Sequence, residues 1–409
     1  MRRLVASIVC LSILLTSGCA LAGQPTVTPT NTRPPFQSTA TPLPSTPTVT
    51  ATAASASASA TQTTPPPSPT RTATAVVAPT AQPTVTPTAQ GAPALVLRQF
   101  PALALKDWPR PERDNGLGIH FLPNQYYSDK ELDYGIARIN EMGLRWALVI
   151  YADETQLEKA ARKFKDAGIM VVWRKMLRAY EPYYNWERDI NILRGLGMQP
   201  YMQVYNEPEL AEEWDGKPIN RALALDNVVQ ASRDIYNAGG YVGLQFIRLD
   251  WLTDALKLIK ERKGDAIFGR MFFIPHPYGL NHPPDYVQDL DGVLSFLHFA
   301  DVFRQQIGFV PAMIAGEGGW KYNADDDRRF PAIDNVRHRD YHLAVFNWFK
   351  TGKLSNGQYL PDYLLSFCPW LLFGGDAAAW VDSFNGNRTM TIDAVKAMSA
   401  YTRRFTWER

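Results

Sequence analysis

Met198-Gln199-Pro200-Tyr201-Met202-Gln203-Val204-Tyr205-Asn206-Glu207-Pro208-Glu209 reads as a short apolar strand that breaks off at Asn-Glu-Pro. The Asn and Glu side chains then sit at the carboxyl end of a strand, where parallel barrels keep their chemistry. Val310-Pro311-Ala312-Met313-Ile314-Ala315-Gly316-Glu317-Gly318-Gly319-Trp320 repeats the design: an apolar run, one carboxylate between glycines, then an aromatic. Two carboxylates delivered by two strand ends are the chemical minimum for cleaving a glycosidic bond.

Outward from these stretches, short apolar runs alternate with amphipathic helical patterns, which predicts repeated βα units around a parallel sheet. The first strand covers 116–121, and its helix follows from Ser128, which serves as cap. The next strands are read at 144–151, 169–174, 200–205, 240–246 and 271–274, each with a helix behind it. The seventh strand is the Val310 run, and the eighth spans 365–373, before a closing helix at 392–405. Eight units predict an α/β fold, a (β/α)₈ TIM barrel over residues 116–409, after an irregular lead-in at 92–115. An open doubly wound sheet is disfavoured because no Gly-rich nucleotide loop follows the first strand.

The amino-terminal part has a different composition. Residues 1–18 start with Arg2-Arg3 and run through a short apolar stretch, the pattern of a secretory signal peptide. A spanning helix needs about 20 apolar residues, more than this run supplies. Leu15-Thr16-Ser17-Gly18-Cys19 resembles a bacterial lipobox, which makes Cys19 the expected lipidated residue and the membrane a partner through that anchor alone. Residues 19–91 are rich in Thr, Pro, Ser and Ala, carry only Arg33 and Arg71 as charges, and repeat Gln-Pro-Thr-Val-Thr-Pro-Thr at Gln24 and Gln82. With too little apolar bulk to offset ordering entropy, this stretch is expected to be a disordered tether. The expected location is the cell surface or the periplasmic side of the membrane, or outside the cell if the lipobox is not used.

A formal net charge of +2 gives no electrostatic footprint for nucleic acid. Cys10 leaves with the signal and Cys368 is the one thiol of the body, so neither an internal disulfide nor a cysteine-built metal site is expected. Eleven Trp and eighteen Tyr, none in the tether, suit stacking on sugar rings as well as ordinary packing.

With Asn206-Glu207 on strand four and Glu317 on strand seven, the body resembles clan A of the glycoside hydrolases. The resemblance implies Glu207 as acid/base, Glu317 as nucleophile, retaining hydrolysis of an oligo- or polysaccharide or other glycoside, and no cofactor. It also implies that Asn206 meets the sugar 2-hydroxyl and that the His276-x-Tyr278 pair closes strand six, with Tyr278 donating to the nucleophile. In such a pair, about 5 Å apart, charge on one carboxylate favours a proton on the other. The clan usually ends strand two with an Arg. Here that end is Val149-Ile150-Tyr151, leaving Arg174, at the end of strand three, and Arg145, at the start of strand two, as alternatives. Trp370 on strand eight, Trp380 beyond it and Trp320 compete for the stacking platform. His120 on strand one lacks a close second ligand such as His-x-His, so it reads as a polar group at the barrel mouth and no metal is expected. The competing function is a barrel that binds sugar without turnover, as a surface adhesin or capture module. A monomer is expected in either case.

Overall fold

The computed structural model describes residues 93–408. The expected signal peptide, Cys19 and the whole of the tether lie outside the described residues. Eight parallel strands run in the order of the chain: β1 (Gly118–His120), β2 (Trp146–Tyr151), β3 (Met170–Lys175), β4 (Tyr201–Gln203), β5 (Tyr241–Leu244), β6 (Met271–Phe273), β7 (Ala312–Ala315) and β8 (Leu364–Phe367). A parallel bridge from Leu117 to Phe367 joins β8 back to β1, which makes the α/β fold a (β/α)₈ barrel. The helices between and after them are α1 (Asp129–Glu141), α2 (Glu154–Asp166), α3 (Trp186–Gly195), α4 (Arg221–Asn237), α5 (Leu249–Glu261), α6 (Phe296–Ile307), α7 (Asn335–Thr351) and α8 (Thr389–Lys396). Ser128 caps α1 as expected, in a reciprocal capping box with Glu131.

Strand alternation sorts the side chains into two layers. Leu148, Ile150, Val172, Tyr201, Phe272 and Ile314 point inward and share one buried cluster, the filled barrel interior. Their strand neighbours Val149, Trp173, Met202, Val242 and Met313 point outward and join the larger core beneath the helices. The same period carries each inward row to the barrel mouth. Arg174 lies two residues beyond Val172, and Gln203 two beyond Tyr201, opposite each other in the β3–β4 register.

Two expectations change. The eighth strand stops at Phe367, and Trp370 sits past its end: Pro369 has no N–H for the ladder, and the Trp370 N–H goes to the Gly318 carbonyl at 2.9 Å instead. The last helix ends at Lys396, so Arg403 and Phe405 are free to fold back. Arg403 covers Phe405, which enters the interior cluster. The lead-in, for its part, closes the amino-terminal end of the barrel: Trp108 stacks on Tyr201, and the Tyr201 hydroxyl donates to the Pro109 carbonyl at 2.6 Å.

Candidate active site

Local backbone geometry places the first carboxylate. Glu207 follows β4 by four residues and has φ +33°, a left-handed conformation that a non-glycine residue rarely adopts. Its N–H donates to the Gln245 side-chain oxygen at the end of β5, which holds the strained residue in place. The Glu207 carboxylate is half-buried and meets His276 Nδ1 at 2.7 Å.

Glu317 depends on its glycines. Gly318 has φ +139° and Gly319 has φ +76°; a Cβ on the first would lie 2.6 Å from the Pro277 carbonyl, and on the second 2.5 Å from His342 Nε2. Only glycine passes through this gap, and the turn directs Glu317 inward. Backbone bonds from His120 to the Pro369 carbonyl and from Trp370 to the Gly318 carbonyl tie the mouths of β1, β7 and β8 together.

Four side chains converge on the buried Glu317. Arg174 Nη1 donates to Oε1 and the Tyr278 hydroxyl to Oε2, each at 2.9 Å. His120 Nε2 lies 3.4 Å from Oε1, and His276 Nδ1 lies 3.6 Å from Oε2. Burial works to raise the Glu317 carboxyl, but His276, His120 and Arg174 outweigh it and hold the group well below the usual carboxylate range. For His276, burial works against the charged form, and the carboxylates of Glu317 and Glu207 overcome it, so the imidazole is raised above its ordinary value. His120 goes the other way, lowered chiefly by complete burial. Tyr278 is pushed far up by burial and by Glu317, which keeps it a hydrogen-bond donor.

One carboxylate oxygen of Glu207, one of Glu317 and a His276 ring nitrogen all lie within 4.8 Å of one another. These three donors are spaced so that a cation could sit among them. They fit a metal poorly, because Arg174 and Tyr278 already occupy both Glu317 oxygens and the guanidinium is itself a cation.

Asn206 is buried beside Glu207. Its Nδ2 gives one hydrogen to Glu213 at 2.8 Å and keeps a second, while Gln203 donates to its Oδ1. The sequence reading missed Glu213. It lies on a 3₁₀ turn (Ala211–Trp214), 3.7 Å from Arg174 and 3.8 Å from Arg178, and links Asn206 to the arginine that holds Glu317. It also missed Gln245 and Glu209, whose Oε1 accepts from the backbone of Ile247 and Arg248. None of the three follows a strand in a motif, although Gln245 immediately follows β5 and could have been found by that rule.

Between the two arginines, the one beside Glu317 is Arg174. Arg145 precedes β2 and lines a separate cavity with Asn115 and Lys396. The three tryptophans also separate. Trp370 is partly exposed and its ring lies 4.5 Å from that of His120. Trp320 and Trp380 are 0% exposed, the first donating to the His282 carbonyl and the second packed edge-on to His338 and His342. Neither offers a face to a ligand, so both are withdrawn as stacking platforms.

No family model matches the chain, and no curated protein matches it. Among solved structures it is similar to AbfB, a family 51 α-L-arabinofuranosidase from Bifidobacterium longum, at 11% identity and TM-score 0.42 over 75% of this chain and 74% of that one. It is similar to a GH128 oligosaccharide-binding protein from Trichoderma gamsii, at 15% identity and TM-score 0.39 over 73% and 98%. A D-psicose 3-epimerase from Clostridium cellulolyticum H10 gives 12% identity and TM-score 0.38 over 69% and 96%. None of these scores says what this protein does.

Proposed function

We propose that the chain is a retaining glycoside hydrolase that cleaves the O-glycosidic bond of a β-linked glycan or glycoside. The observation that carries this is the approach of Glu207 and Glu317, with oxygens within 4.8 Å of each other. Retaining pairs stand about 5 to 5.5 Å apart, whereas inverting pairs need about 6.5 to 9.5 Å to admit a water. Glu207 gives its proton to the glycosidic oxygen as the bond from that oxygen to the anomeric carbon breaks. Glu317 supplies the electron pair for a sugar–enzyme ester, and the alcohol leaves. A water then loses a proton to Glu207 and attacks the anomeric carbon, breaking its bond to the Glu317 oxygen, which frees the sugar and restores Glu317. Arg174 and Tyr278 keep Glu317 ionised for the first step. The spare Asn206 N–H serves the 2-hydroxyl, and the partly exposed Trp370 serves a sugar face.

An aryl glycoside panel with its 2-deoxy-2-fluoro counterparts tests this. Aryl release and a trapped ester on Glu317 are expected, and Glu317→Gln abolishes both. A label on any other residue removes the nucleophile assignment; tight sugar binding without release, in a folded sample, favours the capture barrel.

From the sequence we also propose a monomer held at the membrane by lipid on Cys19 and set away from it by the tether. Cys19→Ser is expected to move the protein from the membrane fraction into the medium.

A further inference from the structure

A cavity of about 480 Å³ opens beside the site, within the range of small-molecule pockets. Glu207, His276 and Tyr278 form its inner end; Glu317, Arg174, Asn206, His120 and Trp370 are not among its lining residues. In the double displacement proposed above, on which this inference rests, the proton donor faces the departing oxygen. A cavity that reaches Glu207 and not Glu317 is therefore on the leaving-group side.

Its wall is largely apolar, with Phe299 of α6 and Ala324 beside four aliphatic side chains. Leu210 comes from the loop after β4, Ile247 from the loop after β5, and Leu280 and Leu290 from the loop after β6, all partly exposed. The charged groups Asp291, Lys321 and Asp326 are exposed at the rim, and the one hydroxyl besides Tyr278, that of Ser295, belongs to a buried residue. A second sugar in this space would leave the hydroxyls on its Leu210, Ile247, Leu280, Leu290 and Phe299 side facing carbon, each at the cost of an unmade hydrogen bond.

Leu280 adds an independent observation. Its φ is +46°, a left-handed conformation unfavourable for a branched apolar residue, yet it lines the pocket. The loop is held there from its far side: Asn281 bonds the carbonyls of Asp327 and Phe330 and accepts from the Asp327 N–H, and His282 Nε2 meets Asp327 at 3.0 Å. These bonds hold the Leu280 part of the wall in place.

We propose that the leaving group is an apolar alcohol or phenol, so that the substrate is an alkyl or aryl glycoside and not a longer glycan. The purified full chain tests this with three leaving groups on one glycon. Glycosyl fluorides, which need neither a proton donor nor a leaving-group pocket, identify the glycon. The octyl glycoside of that sugar is then compared with its methyl glycoside and with a disaccharide. Octyl kcat/KM is expected to exceed both by at least about tenfold. Leu280→Gly, which suits the backbone conformation and so spares the fold, is expected to lower the ratio of octyl to fluoride kcat/KM by about tenfold; Ile247→Ser does the same from the opposite loop. Fluoride turnover with the disaccharide equal to or better than the octyl glycoside overturns the inference alone, as does an unchanged ratio in both variants. No turnover of any fluoride overturns the hydrolase reading and this inference with it.

Discussion

Replacing Arg174 by Met asks whether the guanidinium keeps Glu317 ionised. Met preserves length and apolar stem while removing the charge and the 2.9 Å bond to Glu317 Oε1. A buried hydrogen bond to a charged group contributes about 1.5 to 3 kcal/mol. At about 1.36 kcal/mol per pKa unit, its loss raises the Glu317 carboxyl by about one to two units. His276, His120 and Tyr278 remain, so the group stays below its ordinary value. The sign of the stability effect follows from the depressed carboxyl. Glu317 contributes stability that is present above its unfolded value of 4.5 and is lost as pH falls through the folded one. In denaturant melts taken downward from pH 7, wild type and Arg174→Met are therefore expected to lose stability together below 4.5, with a constant gap between them that closes only once pH falls below the variant's folded carboxyl value. On the aryl glycoside panel, the acid limb of kcat/KM moves up by the same one to two units. An acid limb that stays at its wild-type position in Arg174→Met would show that the guanidinium is not what holds the charge.

Tyr278→Phe removes the other 2.9 Å bond to Glu317 and is expected to cost about 10- to 100-fold in kcat, with the fold intact by circular dichroism. Glu209 is raised by burial from 4.5 to about 7, so it stabilises the fold below 4.5 and loses that contribution as pH rises through 7. Across that interval, at about 1.36 kcal/mol per pH unit, wild type should lose about 3 kcal/mol that Glu209→Gln does not, read from paired denaturant melts. Gly318→Ala puts a Cβ 2.6 Å from a backbone oxygen at φ +139°, and is expected to destabilise by about 2 kcal/mol or more and to abolish aryl release.

What could be read in the sequence, and what could not, follows from how far each residue is from a strand. Period-two apolar runs announce strands, and in an all-parallel barrel every strand delivers its last residues to one face. Asn206, Glu207, Glu317, His276 and Tyr278 end or follow strands and so were found. Arg174 against Arg145 was decidable by the same rule, because only Arg174 stands at a carboxyl end. Glu213 had no such signal: its place on the 3₁₀ turn depends on where the loop after β4 settles. Trp320 and Trp380 were misjudged for a related reason. Each follows a strand, as a platform residue should, but exposure is set by what packs above, and here His342 of α7 lies against both rings. The ligand-facing surface of this barrel is thus built in two ways. The charged centre comes from strand ends and is written locally, while the pocket wall of Leu210, Ile247, Leu280 and Leu290 comes from three loops whose approach no single stretch encodes. That division separates the chemistry from the choice of leaving group, so wall residues can be exchanged with Arg174, Tyr278 and Gly318 left in place to hold Glu317.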